Sequence, residues 1–162
     1  MRRVGVIPLL LVAAGLGCST APTEPPALPE AGGLRLDGSI SLPTIRLGQQ
    51  AVLTFRLRNL TEEAIRLNFG SGCQITPFIE TASGRSVYPS GGGYGCTTAL
   101  TSLTLAPRGD HSITMEVVGD GIRLAIYTGY PLPEGRYRAY AILEGNSTGI
   151  QLRSDYVRFE VR

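Results

Sequence analysis

From residue 34 to the C-terminus, apolar and polar residues alternate in short runs that are interrupted by turn residues. Alternation with a period of two places successive side chains on opposite faces of a strand, so each run predicts a half-buried β-strand. The pattern recurs in residues 34–42, 53–57, 65–69, 75–81, 85–88, 100–105, 113–117, 136–143 and 157–161. Residues 122–130 are mixed and predict no definite element, and no stretch has the spacing of a convincing amphipathic helix.

Short turn sequences join two pairs of these runs into predicted hairpins. Residues 59–63 form a turn between the second and third runs, and residues 82–84 form another between the fourth and fifth. Pro77 lies within the fourth run and has no N–H to donate to a neighbouring strand. We therefore expect this strand to lie at the edge of a sheet.

About eight short strands within roughly 130 residues are typical of sandwich domains. The sequence therefore predicts an all-β fold, an antiparallel immunoglobulin-like β-sandwich over residues 34–162. A closed barrel is the structural alternative, because strand number alone does not separate the two architectures.

The N-terminal residues have a different layout, typical of an export signal. Arg2 and Arg3 precede an apolar run that ends at Leu16, and this run is too short for a stable membrane anchor. Gly17-Cys18 at its end resembles the lipobox of bacterial lipoproteins, although Leu16 is one position closer to the cysteine than is usual. The resemblance implies that residues 1–17 are removed and that lipidated Cys18 anchors the protein to the bacterial cell envelope. A plain signal peptide with an incidental cysteine is the alternative.

Residues 18–33 predict a flexible linker after the lipidated cysteine. They contain Pro22, Pro25, Pro26 and Pro29 and have little apolar surface to bury. Pro-rich linkers are extended, at about 3.1 Å per residue, so this one could hold the domain roughly 45 Å from the membrane.

Two cysteines, Cys73 and Cys96, remain in the predicted mature chain, 23 positions apart and each beside a Gly-rich turn. Exported proteins fold in oxidising surroundings, so the sequence predicts a disulfide between them. A free or metal-bound pair is the alternative. A metal site is not expected, because the chain has one histidine and a four-ligand zinc site would need distant carboxylates.

All 15 basic residues are arginines, and removal of Arg2 and Arg3 balances the rest against 13 acidic residues. The arginines are scattered singly along the predicted strands. Nucleic acids and anionic membrane surfaces require a concentrated basic face, so neither is an expected partner.

The sequence offers no convincing catalytic centre and implies no cofactor. His111 follows Asp110 at the start of a predicted strand, but no Gly-x-Ser-x-Gly nucleophile elbow accompanies them. The glycine-rich loop around Tyr94 lacks the lysine and the helix of a phosphate-binding loop. We interpret residues 88–96 as part of a protein-binding face, with Tyr88 and an exposed Tyr94 as the candidate contact residues.

Five short motifs in fixed order resemble the BsuPI-type proteinase inhibitor domain across residues 42–143. They are Phe55-Arg-Leu-Arg-Asn59, Leu67-Asn-Phe69 with Gly70-Ser-Gly72, Gly84 with Val87-Tyr88, Leu105-Ala-Pro-Arg-Gly109-Asp110, and Leu132-Pro-Glu-Gly135-Arg-Tyr137. The resemblance implies an immunoglobulin-like sandwich and a protein partner, with a serine protease as the expected class. The chain departs from the pattern at Cys73-Gln74, where an acidic residue is missing, and at Tyr88, where the family has tryptophan.

The sequence as a whole predicts a membrane-tethered, monomeric, non-catalytic binding module that inhibits an extracytoplasmic serine protease. The alternative is a structural or assembly module that binds another cell-envelope protein without inhibiting a protease. An enzyme that uses His111 is the third hypothesis.

Overall fold

The computed structural model describes residues 27–90, 93–118, 121–124, 127–130 and 132–162. The predicted signal peptide, Cys18 and most of the linker lie outside the described residues. The described part of the chain folds into fourteen strands: β1 (Glu30–Ala31), β2 (Leu34–Ile40), β3 (Thr44–Ile45), β4 (Gln50–Asn59), β5 (Ile65–Phe69), β6 (Ile75–Thr81), β7 (Ser86–Tyr88), β8 (Thr101–Leu105), β9 (Asp110–Val118), β10 (Gly121–Leu124), β11 (Tyr127–Tyr130), β12 (Gly135–Leu143), β13 (Leu152–Arg153) and β14 (Val157–Val161). Within these residues there is no helix with the length and apolarity needed to cross a membrane.

The strands form two large sheets and one separate pair. The first sheet has the order β1-β2-β4-β9-β10-β11, and the second has the order β3-β14-β12-β6-β7, with β13 beside β12. Strands β5 and β8 form the separate pair. Neighbouring strands are antiparallel except β3 and β14, which run parallel. The predicted all-β antiparallel sandwich is confirmed.

The inner faces of the sheets supply a single hydrophobic core. Along β4, exposed and buried residues alternate, so that Leu53, Phe55 and Leu57 are fully buried. Along β12 the same alternation buries Ala139 and Ala141. Period-two patterning therefore identified which side chains enter the core, because a pleated strand presents alternate residues to opposite faces.

The first predicted hairpin is wrong. Strand β4 pairs with β2 and β9, whereas β5 pairs with β8. The turn between β4 and β5 is present, but buried Asn59 directs it away from a hairpin. The Asn59 Oδ1 accepts a hydrogen bond from the backbone N–H of Thr61 at 2.9 Å, and its Nδ2 donates to the carbonyl oxygens of Glu63 and Ala106 at 2.7 and 2.9 Å. These bonds fasten the turn to the end of β8.

The second predicted hairpin, β6 with β7, is confirmed. At the N-terminal end of the described chain, the domain begins earlier than the composition indicates. The backbones of Leu28 and Arg153 exchange hydrogen bonds of 3.1 and 2.9 Å, and Glu30 pairs with Arg35. The folded domain therefore includes residues that the sequence assigns to the linker.

Gly38 lies on the inner face of β2, where a side chain has no room. A Cβ atom there would lie 2.6 Å from Cγ2 of Val157 and 2.8 Å from Cε1 of Phe55. We expect Gly38→Ala to lower the free energy of unfolding by about 1–3 kcal/mol, because the two sheets must move apart to admit the methyl group. The urea midpoint of unfolding measures this change.

Gly70→Ala is the matched control, because a Cβ at Gly70 meets no atom within 4 Å. A Gly38→Ala protein as stable as the Gly70→Ala protein would contradict the close approach of the sheets at this point.

Candidate functional site

A disulfide joins Cys73, which follows β5, to Cys96 in the connection between β7 and β8. The two Cα atoms are 5.4 Å apart. The predicted disulfide is confirmed, and a free or metal-bound pair is thereby ruled out for this structure.

Hydrogen bonds made by two residues that follow Cys96 extend the attachment of this connection to the residues after β5. The backbone N–H of Gly72 donates to the carbonyl oxygen of Thr97 at 3.0 Å. The hydroxyl of Thr101 donates to the carbonyl oxygen of Ser71 at 2.7 Å. A Cβ on Gly72 would lie 2.2 Å from Oγ1 of Thr97, so glycine is what allows the two segments to approach.

Tyr94 is half-buried, contrary to the expectation of an exposed ring. Its ring lies edge-on to Phe78 and to Tyr88, with centroid separations of 5.6 Å in each case, and its hydroxyl donates to the carbonyl oxygen of Pro77. Tyr88 itself is only 5% exposed. Both tyrosines hold the connection against the sandwich, and their predicted role as partner contacts stays a prediction.

The prediction that Pro77 places its strand at the edge of a sheet is wrong. Strand β6 lies between β12 and β7, but β7 pairs only with Ile79 and Glu80, so Pro77 has a strand on one side alone. On that side it faces Ala141, whose N–H and carbonyl both bond to Ser154. The missing N–H of proline is therefore not needed there.

Beyond the disulfide, the connection is exposed from Cys96 to Leu100 and lies outside any strand. The side chain of Leu100 is 85% exposed. The predicted strand over residues 100–105 includes Leu100, but β8 begins at Thr101. The sequence does contain an indication of this boundary. Leu103 and Leu105 are two positions apart and share one face of the strand, whereas Leu100 is an odd number of positions from them and would lie on the opposite face.

The candidate catalytic pair, Asp110 and His111, lies at the start of β9. The carboxylate of Asp110 accepts a hydrogen bond of 2.7 Å from Nη2 of Arg56, and this bond holds the pKa of Asp110 below its ordinary value. His111 lies opposite Leu57 of β4. Asp110 therefore connects β4 and β9 through an arginine. Within the described ranges, no group of three or more His, Cys, Asp or Glu residues is placed to hold a metal ion.

We expect the Cys73→Ser/Cys96→Ser double variant to lose about 3 kcal/mol of unfolding free energy, because the cross-link restricts the unfolded chain. Urea unfolding of the oxidised protein and the double variant measures the difference. Reductant should lower the midpoint of the wild type and leave that of the double variant unchanged. A wild-type midpoint insensitive to reductant would contradict a stabilising disulfide.

A family model described as intracellular proteinase inhibitor (BsuPI) matches residues 39–148. A search of curated proteins found no match. Solved structures similar to the chain include a CARDB domain in complex with di-metal ions from Pyrococcus furiosus, with 14% identity, 81% of this chain and 90% of that chain covered, and a TM-score of 0.47. The sporulation control protein Spo0M from Bacillus subtilis has 13% identity, coverages of 82% and 50%, and a TM-score of 0.44.

The alkylpurine DNA glycosylase AlkC from Pseudomonas fluorescens, bound to DNA with an abasic site analog, has 18% identity and a TM-score of 0.43. The match covers 80% of this chain but only 30% of the glycosylase. These structures are too distant to bear on function. The family match, in contrast, covers more than half of the chain and includes strands of both sheets. The protein therefore belongs to the BsuPI family of intracellular proteinase inhibitors.

Proposed function

We propose that this protein is a membrane-tethered, non-catalytic binding module that inhibits an extracytoplasmic serine protease. The observation that carries the proposal is the match of the proteinase inhibitor family to residues 39–148, which form most of the sandwich. The family membership supports a protein partner of the protease class. The particular protease, the tether and the inhibition itself are what the experiments below test.

The connection between β7 and β8 is fixed to the residues after β5, and this supports binding of a partner through a surface loop. A loop fixed before it meets its partner loses little further conformational entropy on binding, and this favours affinity. Here a disulfide and two hydrogen bonds fasten the segment 96–101 to the residues after β5. A rigid sandwich that presents such a loop is a common arrangement for recognition.

Export and lipid attachment are supported by the apolar segment before Cys18 and by the disulfide of the folded domain. Disulfides persist in extracytoplasmic compartments and are rare in a reducing cytosol. With residues from Leu28 onward bonded to the domain, residues 19–27 remain as the tether. Nine residues at about 3.1 Å each would reach roughly 28 Å, less than the composition alone indicates.

The alternative, an assembly module for another envelope protein, is favoured by a cluster on the outer face of the second sheet. The guanidinium of Arg153 lies 4.2 Å from the ring centre of Tyr140, and that of Arg138 lies 4.4 Å from the ring centre of Tyr156. Tyrosine and arginine are enriched among residues that dominate binding at protein interfaces. Such a face could hold an envelope partner without involving a protease.

We expect the full chain, with its disulfide formed, to reduce the activity of at least one secreted serine protease in proportion to the amount added. A preformed loop should occupy the active-site cleft and remain intact. Residual activity against a peptide substrate measures inhibition, and mass spectrometry of the mixture measures intactness.

A chain that is cut rapidly while protease activity persists is a substrate, and this result would overturn the proposal. A folded, uncut chain that inhibits no member of the panel but crosslinks to an envelope protein on whole cells would favour the assembly module instead.

For the tether, we expect cells that express the protein to incorporate radiolabelled palmitate into it, and the Cys18→Ala variant to incorporate none. The thiol of Cys18 is the expected acceptor of the lipid. Ser19→Ala is the matched control and should be labelled like the wild type. Equal labelling of the Cys18→Ala variant would contradict lipidation at this position.

A further inference from the structure

Leu100 is the most exposed of the large hydrophobic residues in the described part of the chain, with 85% of its surface accessible. Burial of a leucine side chain is worth about 1.5–3 kcal/mol, and Leu100 contributes little of this to folding. Single exposed leucines are common on protein surfaces, so exposure alone assigns no role. Leu47 is a comparable case, with 79% exposure in the turn before β4.

Leu47 lies in a tight turn that the Gln49 N–H closes by donating to the Arg46 carbonyl at 2.9 Å. Leu100 lies outside any turn, in a segment whose backbone is fastened at both ends. On the N-terminal side, Cys96 is covalently bound to Cys73, and the Thr97 carbonyl accepts the Gly72 N–H. On the C-terminal side, Thr101 begins β8, where it pairs with Phe69. Residues 98–100 therefore project from the surface between two fixed points and belong to no strand.

The chemistry of this segment is uniformly uncharged. From Ser86 to Pro107 the sequence contains no Asp, Glu, Lys, Arg or His, in a chain that is 17% charged. The residues before Leu100 are Thr97, Thr98 and Ala99, which are small. A partner that covers this segment desolvates no charge, and the leucine is the only large apolar side chain that the segment offers it.

We propose that residues 96–101 are the reactive loop of the inhibitor and that the side chain of Leu100 enters the S1 specificity pocket of the target protease. This inference rests on the proposed function. The S1 pocket is an apolar slot in chymotrypsin and carries an aspartate in trypsin. The target class is therefore a serine protease with an apolar S1 pocket.

If the protease cleaved the loop after Leu100, the pairing of β8 with β5 would keep the C-terminal part of the loop in place. Hydrolysis of the peptide bond after Leu100 would consume one water and produce a carboxylate on Leu100 and an amine on Thr101. The new amine would stay in place, because β8 pairs with β5 from Thr101 to Leu105. A leaving group held beside the acyl carbon favours re-formation of the bond over release.

The test compares the oxidised full chain with its Leu100→Arg variant against chymotrypsin and trypsin. We expect the wild type to inhibit chymotrypsin. The Leu100→Arg variant should inhibit chymotrypsin at least about 100-fold more weakly and trypsin about 100-fold more tightly, because the guanidinium suits the trypsin pocket and not the apolar one. Leu47→Arg adds the same charge at an equally exposed leucine and should change neither inhibition constant.

The outcomes separate the two proposals. Wild-type inhibition of chymotrypsin that Leu100→Arg leaves unchanged would overturn the assignment of Leu100 and leave the inhibitor function standing. A similar exchange of specificity in Leu47→Arg would also overturn it. No inhibition of either enzyme by the wild type or by Leu100→Arg, with both proteins folded by their urea midpoints, would overturn the assignment of Leu100. The proposed function is overturned with it only if the wild type also inhibits no protease of the wider panel.

Discussion

The covalent bond between Cys73 and Cys96 is the constraint on which the arrangement of the exposed loop depends. The connection between β7 and β8 is long and rich in glycine, and such a segment is costly to order. The bond brings it to the residues after β5, where Thr97 and Thr101 make hydrogen bonds that position the chain for β8. Tyr94 adds a second attachment by packing against Phe78. The loop is thus held by covalent, polar and aromatic contacts at separate points.

The core positions could be predicted from the sequence because they follow from local alternation. Phe55 and Leu57 in β4, and Ala139 and Ala141 in β12, were recognisable from period two alone. Which strands are neighbours could not be predicted in this way, since β4 bonds to β9, which lies more than 50 residues further along the chain. Alternation specifies which face of a strand is buried and leaves open which strand lies beside it.

The candidate site was only partly predictable, for a related reason. The disulfide followed from cysteine number and compartment, but the position of Tyr94 depends on the open side of β6 at Pro77, which exists only because β7 is short. A glycine-rich stretch indicates a mobile exposed loop, and here tertiary contacts override that indication. The prominence of Leu100 depends likewise on where β8 begins, and strand ends are the least certain part of any sequence-based assignment.

Charge is distributed unevenly between the sheets and the loop that contains Leu100. Several charged side chains on the outer face of the first sheet are paired with one another. Asp37 accepts hydrogen bonds from Nε of Arg35 at 2.7 Å and Nε of Arg58 at 2.9 Å. Burial opposes the ionisation of Asp37, but these hydrogen bonds outweigh it and lower the pKa of its carboxyl. The loop that contains Leu100 has no such groups. A partner bound there would gain little from electrostatic steering, so its recognition must come from the fit of one apolar side chain and the rigidity of the backbone that presents it.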